Sequence, residues 1–155
     1  MGTDINPVIE YCDEGEWHLA VNREGLWYQR CYVSFAILAD MRNGWGVKPI
    51  AATRGIPHDW SPELELLHKA GDTDGCSPIG EHSFSWVTLA EVEAYESGPM
   101  LFDKPGDLDL YAKATTFRKL ADSMRLVWDA QRWHLGENPR IPRGQAVRLV
   151  FGFDS

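Results

Sequence analysis

The alternation of apolar and polar positions predicts strands at both ends of the chain. In "NPVIEYCDEGEWHLAVN" two strand-like halves flank the polar letters "DEGE", which predicts a β-hairpin with Gly15 in its turn. Near the other end, "QAVRLVFGFD" alternates with a period of two and predicts a further strand. The segment "HSFSW", which starts at His82, is also strand-like.

Helical spacing appears between these strands. Apolar residues three or four positions apart predict a helix from about Tyr32 to Arg42, stopped by the pair Asn43-Gly44. In "SPELELLHKA", Ser61 is placed to cap a short helix at its N-terminus, with Pro62 and acidic residues in the first turn.

Two more helices are predicted in the second half. Thr88 and Glu91 form the capping-box pattern "TLAE", which predicts a helix directly after the strand. The longest helix is predicted from about Leu108 to Trp133, with Gly136 just beyond its end. Its expected buried face consists of Phe117, Leu120, Ala121, Met124, Val127, Trp128 and Gln131.

These elements predict an α+β fold in one domain that spans residues 1–155. We expect the C-terminal strand to join the N-terminal hairpin in a small antiparallel sheet, packed with three to four helices. The segment from Trp45 to Gly80 is rich in Gly, Pro, Asp and Ser. Apart from the short helix it is predicted to be a long central loop, and loops of this length are often functional.

Composition narrows the environment of the protein. The start of the chain has no basic, apolar leader, and no apolar run is long enough to cross a membrane. Three cysteines, Cys12, Cys31 and Cys76, without a CxxC pair favour reduced thiols. We therefore expect a cytoplasmic protein that does not bind membranes.

The net charge of −8 argues against nonspecific binding to nucleic acid, which requires many contacts from Lys and Arg to phosphates. The charge is uneven, because residues 106–148 contain eight Lys or Arg and five Asp or Glu. The rest of the chain contains seven basic and eighteen acidic residues. Such asymmetry suits steering of a small anion, although solvated surface charge is the commoner cause.

Known catalytic and metal-binding motifs are absent from the sequence. There is no GxSxG, Walker A, GxGxxG, HExxH or HxxxH pattern, and Cys31 is expected to be an inert thiol inside a helix. We therefore expect no metal, no cofactor and no catalytic residues, although an unfamiliar active site stays open. Several metal-ligating residue types nevertheless occur close together in the sequence: His58, Asp59, His68, Asp72, Asp74, Cys76 and His82.

Aromatic and guanidinium groups are the candidate binding residues, since proteins hold nucleotides by stacking and by pairing Arg with phosphate. In this hypothesis Arg30 and Arg54 take phosphate, while His82 and Ser85 form hydrogen bonds to ribose or base. Arg118, Arg125 and Arg132 recur every seven residues, as either a second site or a salt-bridged surface. The predicted ligand-binding set is Trp27, Tyr28, Arg30, Arg54, His58, His82, Ser85 and Trp86.

Three segments carry a resemblance: "WYQRCYVSFAILADMRNG", "PIAATRGIPHDWSPE" and "HSFSWVTLAEVEAYE". They are similar to motifs of a widespread family of small, mostly uncharacterised proteins encoded by phages and prophages. The chain departs from the family pattern at Cys31, where Asn is usual, and at Thr53, where Pro is usual. The resemblance covers the first 96 residues and implies a phage accessory protein, a class whose members often counter host defence.

The resemblance implies that the protein acts in the cytoplasm of a host cell, and three functions are considered. The leading hypothesis, motivated by the Arg, His and Trp residues of the loops, is a non-enzymatic sponge that sequesters a cyclic nucleotide or an ADP-ribose-like immune signal, with Trp27 or Trp86 stacked on the base. The second is an enzyme that degrades such a signal, with His58 or His82 as general acid or base. The third is an inhibitor that binds a host defence protein through its acidic surface. A homo-oligomer is compatible with each of them.

Overall fold

Among the residues that the structure describes, an antiparallel sheet of four strands forms the centre of the fold, and four helices lie around it. The computed structural model describes residues 2–74, 77–97, 112–135 and 142–154. In chain order the elements are β1 (Asp4–Asp13), β2 (Glu16–Val21), α1 (Tyr32–Ala39), α2 (Pro62–Asp74), β3 (His82–Thr88), α3 (Leu89–Ser97), α4 (Thr115–Leu135) and β4 (Val147–Asp154).

The sheet has the strand order β2-β1-β4-β3. The predicted hairpin is confirmed: β1 pairs with β2 across a turn at Glu14 and Gly15, whose φ angles are 51° and 84°. Two successive positive φ angles are those of the tight turn that matches the twist of a hairpin. β4 pairs with β1 from Asp4 to Tyr11, as predicted for the C-terminal strand. The α+β fold class is therefore confirmed.

β3 extends the sheet beyond the three strands that were expected to form it. It pairs with β4 from His82 to Thr88, with an irregularity between His82 and Ser85. Ser83 adopts a positive φ of 53° at this irregularity. The predicted strand is thus present, and its place at the second edge of the sheet is an addition to the expected topology.

Both faces of the sheet are covered. On one face Leu149, Phe151 and Phe153 pack into a large core with α1, α3 and α4. On the other face Val8 and Val150 pack with α2 and with the segment that follows it. β4 is therefore buried on both sides, and the polar-looking alternation in its sequence does not mark a solvent-facing side.

Two predicted helix starts are confirmed by their capping bonds. The Leu64 amide donates to Ser61 Oγ at 3.1 Å, so Ser61 caps α2. At α3 the Thr88 amide donates to Glu91 Oε2 at 2.8 Å, and the Glu91 amide donates to Thr88 Oγ1 at 3.2 Å. This reciprocal pair is the predicted capping box.

The boundaries of α1 differ from the prediction. The helix ends at Ala39, because Asp40 adopts the left-handed conformation and donates its amide to the Ala36 carbonyl at 2.9 Å. Asn43 then fixes the following turn through a side-chain bond to Asp40 Oδ1 at 2.7 Å. Cys31 is the residue before the helix and not part of it, which corrects the expected position of this thiol.

The ends of the other helices were also predicted only approximately. α2 continues to Asp74, four residues beyond the predicted "SPELELLHKA", so part of the expected loop is helical. α4 begins at Thr115, while the predicted start at Leu108 and the stop at Gly136 lie outside the described residues. Its predicted face is buried in the core from Phe117 to Trp128, whereas Gln131, predicted to be buried as well, is only partly buried. Within the described ranges, no helix has the length and apolar character of a membrane span.

Candidate functional site

A groove of about 340 Å³ lies where the turn of the hairpin meets the start of α2. Its aromatic walls come from Trp17, His18 and Trp60, and its rim is acidic. Glu63 lies at the N-terminus of α2, with a carboxylate oxygen 3.6 Å from His18 Nδ1. We call this feature the hairpin groove; it is lined by Gly15, Glu16, Trp17, His18, Asp59, Trp60, Pro62 and Glu63.

A buried arginine holds the groove in place. The Arg148 side chain is 3% exposed, and its Nε donates to Glu10 Oε1 at 2.8 Å, where Glu10 is fully buried. Its Nη1 donates to Asp59 Oδ1 at 2.8 Å. The Ser61 amide donates to the other Glu10 oxygen at 2.7 Å, so the same carboxylate fixes the start of α2. We call Arg148, Glu10 and Asp59 the Arg148 network.

Aromatic rings stack on this network. The Arg148 guanidinium lies 3.8 Å from the centroid of Trp17 and 5.9 Å from that of Trp86. Arg54 lies 4.8 Å from the Trp86 centroid. Trp17 also donates from Nε1 to Asp59 Oδ2 at 3.2 Å. Alternating tryptophan and arginine side chains therefore form one layered stack beneath the groove.

Arg54, Ser85 and Trp86 are the members of the predicted site that the structure brings together. The Arg54 guanidinium donates to both Glu91 oxygens, at 2.9 and 2.5 Å, and to the Trp86 carbonyl at 3.0 Å. Ser85 is buried, and its hydroxyl accepts from the Arg54 amide at 3.0 Å. These contacts attach the long loop to the edge of β3. The carboxylate of Glu91 occupies the position that the prediction gave to phosphate.

The segment "WYQR" lies elsewhere, against the start of α4. The Gln29 amide donates to Thr116 Oγ1 at 3.0 Å, and Thr116 donates back to the Gln29 carbonyl at 2.8 Å. Trp27 is 44% exposed, and Tyr28 packs against the large core. Arg30 donates from Nε and Nη2 to the two Asp4 oxygens, each at 2.8 Å.

The predicted residues therefore do not form one pocket. Arg30 binds Asp4, which pairs with Asp154 at the C-terminal end of β4. Arg54 binds the Trp86 carbonyl, close to Thr88, which pairs with Arg148 near the N-terminal end of β4. Six residues of β4 separate these two ends, or roughly 20 Å of strand.

The two predicted histidines also lie apart. His58 is exposed in the loop beside Asp59, next to the hairpin groove. His82 starts β3 at the Asp4 end of the sheet, opposite Phe153. Its Nδ1 lies 2.9 Å from Ser83 Oγ, and its Nε2 is buried without a hydrogen-bond partner among the described residues.

The arginine stripe on α4 is, at its centre, a salt-bridged surface. Arg125 contacts Glu93 at 3.2 Å, Asp122 at 3.0 Å, and also Glu96. Arg143 binds Glu93 from the other side, at 2.6 Å. The hydrogen bond and charge of Arg143 hold the pKa of Glu93 below its ordinary value of 4.5, against partial desolvation. Carboxylates of α3 thus already neutralise Arg125.

Arg30→Ala is expected to leave the free energy of unfolding close to that of the parent, because both partners of its ion pair are half exposed. Urea denaturation of the variant and the parent measures the difference. A loss as large as that caused by removing a buried core side chain would mean that Arg30 anchors the entry to α1.

Glu91 makes the Arg54 contact dependent on pH. Partial burial acts to raise the pKa of Glu91, but the bonds and charge of Arg54 and the bonds of Thr88 outweigh it, so the pKa lies below 4.5. A lowered pKa in the folded state stabilises the protein above the unfolded pKa, and this contribution disappears as pH falls through the folded value.

Glu91→Gln should therefore cost about 1–2 kcal/mol at neutral pH, through the weakened cap and ion pair. The difference from the parent should shrink below pH 4.5, where the parent carboxylate becomes protonated. Urea denaturation of both proteins at a series of pH values measures it. A difference that stays constant into strong acid would show that the Glu91 charge does not stabilise the fold.

The chemistry of the hairpin groove favours a cation. Glu16 and Glu63 face it, and Asp13 and Glu14 extend the negative charge over the turn. Aromatic faces and carboxylates together bind ammonium and guanidinium groups. Among the described residues, no three His, Cys, Asp or Glu side chains come together as a metal site.

Sequence reasoning did not find this groove, because its walls come from segments about 45 residues apart. One signal did exist. Apart from the residues at the ends of the strands, Glu10 is the one charged residue of β1 and Arg148 that of β4. Opposite charges inside two mostly buried strands indicate that they pair with each other within the protein.

No family model, no curated protein and no solved structure matches this chain.

Proposed function

We propose that this protein acts by binding another protein, and that the hairpin groove receives a basic side chain of that partner. Among the hypotheses from the sequence, this is the inhibitor that uses its acidic surface. The observation that carries it is the pairing of the predicted phosphate ligands. Arg30 and Arg54 each hold a carboxylate in two-pronged contact, whereas Glu16 has no basic partner among the described residues.

The cost of leaving a buried charge unpaired also favours a basic partner in the hairpin groove over a phosphate at Arg54. A phosphate that bound Arg54 would have to displace Glu91, leaving a half-buried carboxylate without its cation. A basic side chain that enters the hairpin groove displaces only water and joins carboxylates that are already exposed. The Arg148 network keeps the groove rigid, which lowers the entropic cost of binding.

The phage origin and the role against host defence stay proposals that rest on the resemblance. In that setting the partner is a host defence protein with an exposed basic segment. The nucleotide sponge stays a prediction too, as does the signal-degrading enzyme. Both require an anion to reach an arginine that now holds a carboxylate.

A selection from a random-peptide display library, run at low and at high ionic strength, tests the proposed function. We expect enriched peptides to contain Lys or Arg and to be lost at high salt, since exposed charges are screened there. Calorimetry with cyclic nucleotides and ADP-ribose provides the comparison. Tight binding of a nucleotide, together with no enrichment of basic peptides, would contradict the proposal and favour the sponge.

A further inference from the structure

Where the structure describes the chain, one edge of the sheet is covered by a loop, and the other edge has no strand paired with its outer side. At β3 the long loop covers the edge, because the Gly55 amide donates to the Phe84 carbonyl at 2.8 Å and Arg54 donates to the Trp86 carbonyl at 3.0 Å. At the opposite edge, β2 is the outermost strand. Within the described part of the chain, no strand pairs with its outer side.

The first four residues of β2 lack the features that protect a sheet edge. Natural edge strands are blunted by Pro, Lys, inward charges or bulges. In "EWHLAV" Glu16, at the first position, is the one charged residue, and a bulge lies beyond Leu19, where Glu10 pairs with Leu19 and Ile9 with Val21. The two-residue turn makes Asp13 and Glu16 a hydrogen-bonded pair, so the backbone groups of Trp17 and Leu19 point outward. These groups are placed to bond with an added strand.

A groove lies on each side of this edge. The hairpin groove is beside the start of β2, on the side of the sheet that α2 covers. A second groove of about 290 Å³ lies at the end of β2, between Val21 and Leu26 on one wall and Leu126 and Ala130 of α4 on the other. We call it the helix groove. Leu126 is 68% exposed there, so this wall is apolar.

We propose that the partner segment is extended and joins β2 as a fifth, antiparallel strand. This inference rests on the proposed function. It assigns a basic residue to the hairpin groove and an apolar residue to the helix groove. Charge complementarity selects this occupant, because the acidic start of β2 attracts a cation and repels the acidic β2 of a second copy.

The spacing follows from the pairing of β2 with β1. Trp17, a wall of the hairpin groove, pairs with Cys12, and Val21, a wall of the helix groove, pairs with Ile9, so a bulge after Leu19 makes four steps along β2 match three steps along a regular strand. Side chains separated by an odd number of positions point to opposite faces, and the two grooves lie on opposite faces of the sheet. An antiparallel partner meets Val21 first, so its apolar residue precedes its basic residue by about three positions.

Two synthetic peptides of identical composition test this register. The first, Ac-TVTLTVKT-amide, separates Leu and Lys by three positions; the second, Ac-TVLTTVKT-amide, separates them by four. We expect the first to bind at least roughly tenfold more tightly by calorimetry, because the second can fill only one groove. Equal affinities would overturn the proposed register.

A matched pair of variants tests the backbone contact. Leu19→Ala removes the side chain and keeps the amide, while Leu19→Pro removes both, so only the proline variant blocks strand addition. We expect Leu19→Pro to bind the first peptide at least roughly tenfold more weakly than Leu19→Ala. If Leu19→Pro does not fold, hydrogen exchange of the backbone amides in the unmodified protein provides the test. The first peptide should slow exchange at the amides of Trp17 and Leu19. Unchanged exchange at these two amides would overturn the proposal.

The outcomes separate the two proposals. Basic peptides that bind through Glu16 without protecting β2 support the proposed function and overturn strand addition. If no basic peptide binds at all, the proposed function fails first. Light scattering provides a further check. If the protein is a dimer and Leu19→Pro makes it a monomer, a second copy of the chain occupies this edge, and the inference is overturned.

Discussion

Replacing Arg148 with alanine is expected to lower the free energy of unfolding by about 3–5 kcal/mol, because the substitution leaves Glu10 buried and charged without a cation. The Glu10 carboxylate also fixes the amide of Ser61, so the start of α2 should loosen. Trp17 loses the guanidinium on which it stacks. Urea denaturation with the parent as reference measures the loss.

Arg143→Ala is the matched control, since this arginine is 41% exposed and also binds a glutamate. Its expected loss is below about 1 kcal/mol. A double-mutant cycle with Glu10→Gln and Arg148→Met adds a second check, because removing both charges should cost less than the sum of the single losses. Additive losses, or an Arg148→Ala loss as small as that of the control, would contradict the role of the network.

Phe35→Ala is expected to cost about 3–5 kcal/mol through the cavity that it leaves. Phe35 is fully buried in α1, with its ring centroid 5.3 Å from that of Phe153 and 5.7 Å from that of Tyr32. The melting temperature should fall by roughly 10 °C or more. Calorimetric melting measures the shift.

Leu126→Ala provides the control on stability, because Leu126 is 68% exposed on α4. Its melting temperature should stay close to that of the parent, since surface substitutions change stability by only about 0.5 kcal/mol. A Phe35→Ala variant that melts like Leu126→Ala would mean that α1 is not part of the main core.

Local signals predicted much of the fold. The turn at Gly15, the cap at Ser61 and the capping box at Thr88 each depend on residues within four positions, so the sequence displays them directly. The end of α1 was missed because two stop signals compete within five residues. Asp40 took the left-handed position that the prediction assigned to Gly44, since a short polar side chain tolerates that conformation.

Non-local partners account for what the sequence did not reveal. Arg30 and Arg54 were predicted to bind phosphate, and in the structure each of them binds a carboxylate of this chain. Their anions are Asp4 and Glu91, which lie 26 and 37 positions away. Glu10 and Arg148 are 138 positions apart. Periodicity reports which side chains share a face of one element, but it cannot report which element covers that face.

The central claim is that the acidic rim of the hairpin groove, and not the arginines, binds the partner. The most direct test is the affinity of Ac-TVTLTVKT-amide for the double variant Glu16→Gln/Glu63→Gln. Asp40→Asn/Glu81→Gln is the control, because it makes the same change in net charge at exposed positions outside the groove. We predict that the groove variant loses at least roughly tenfold in affinity while the control binds like the parent; equal losses in both, or none in the groove variant, would contradict the account.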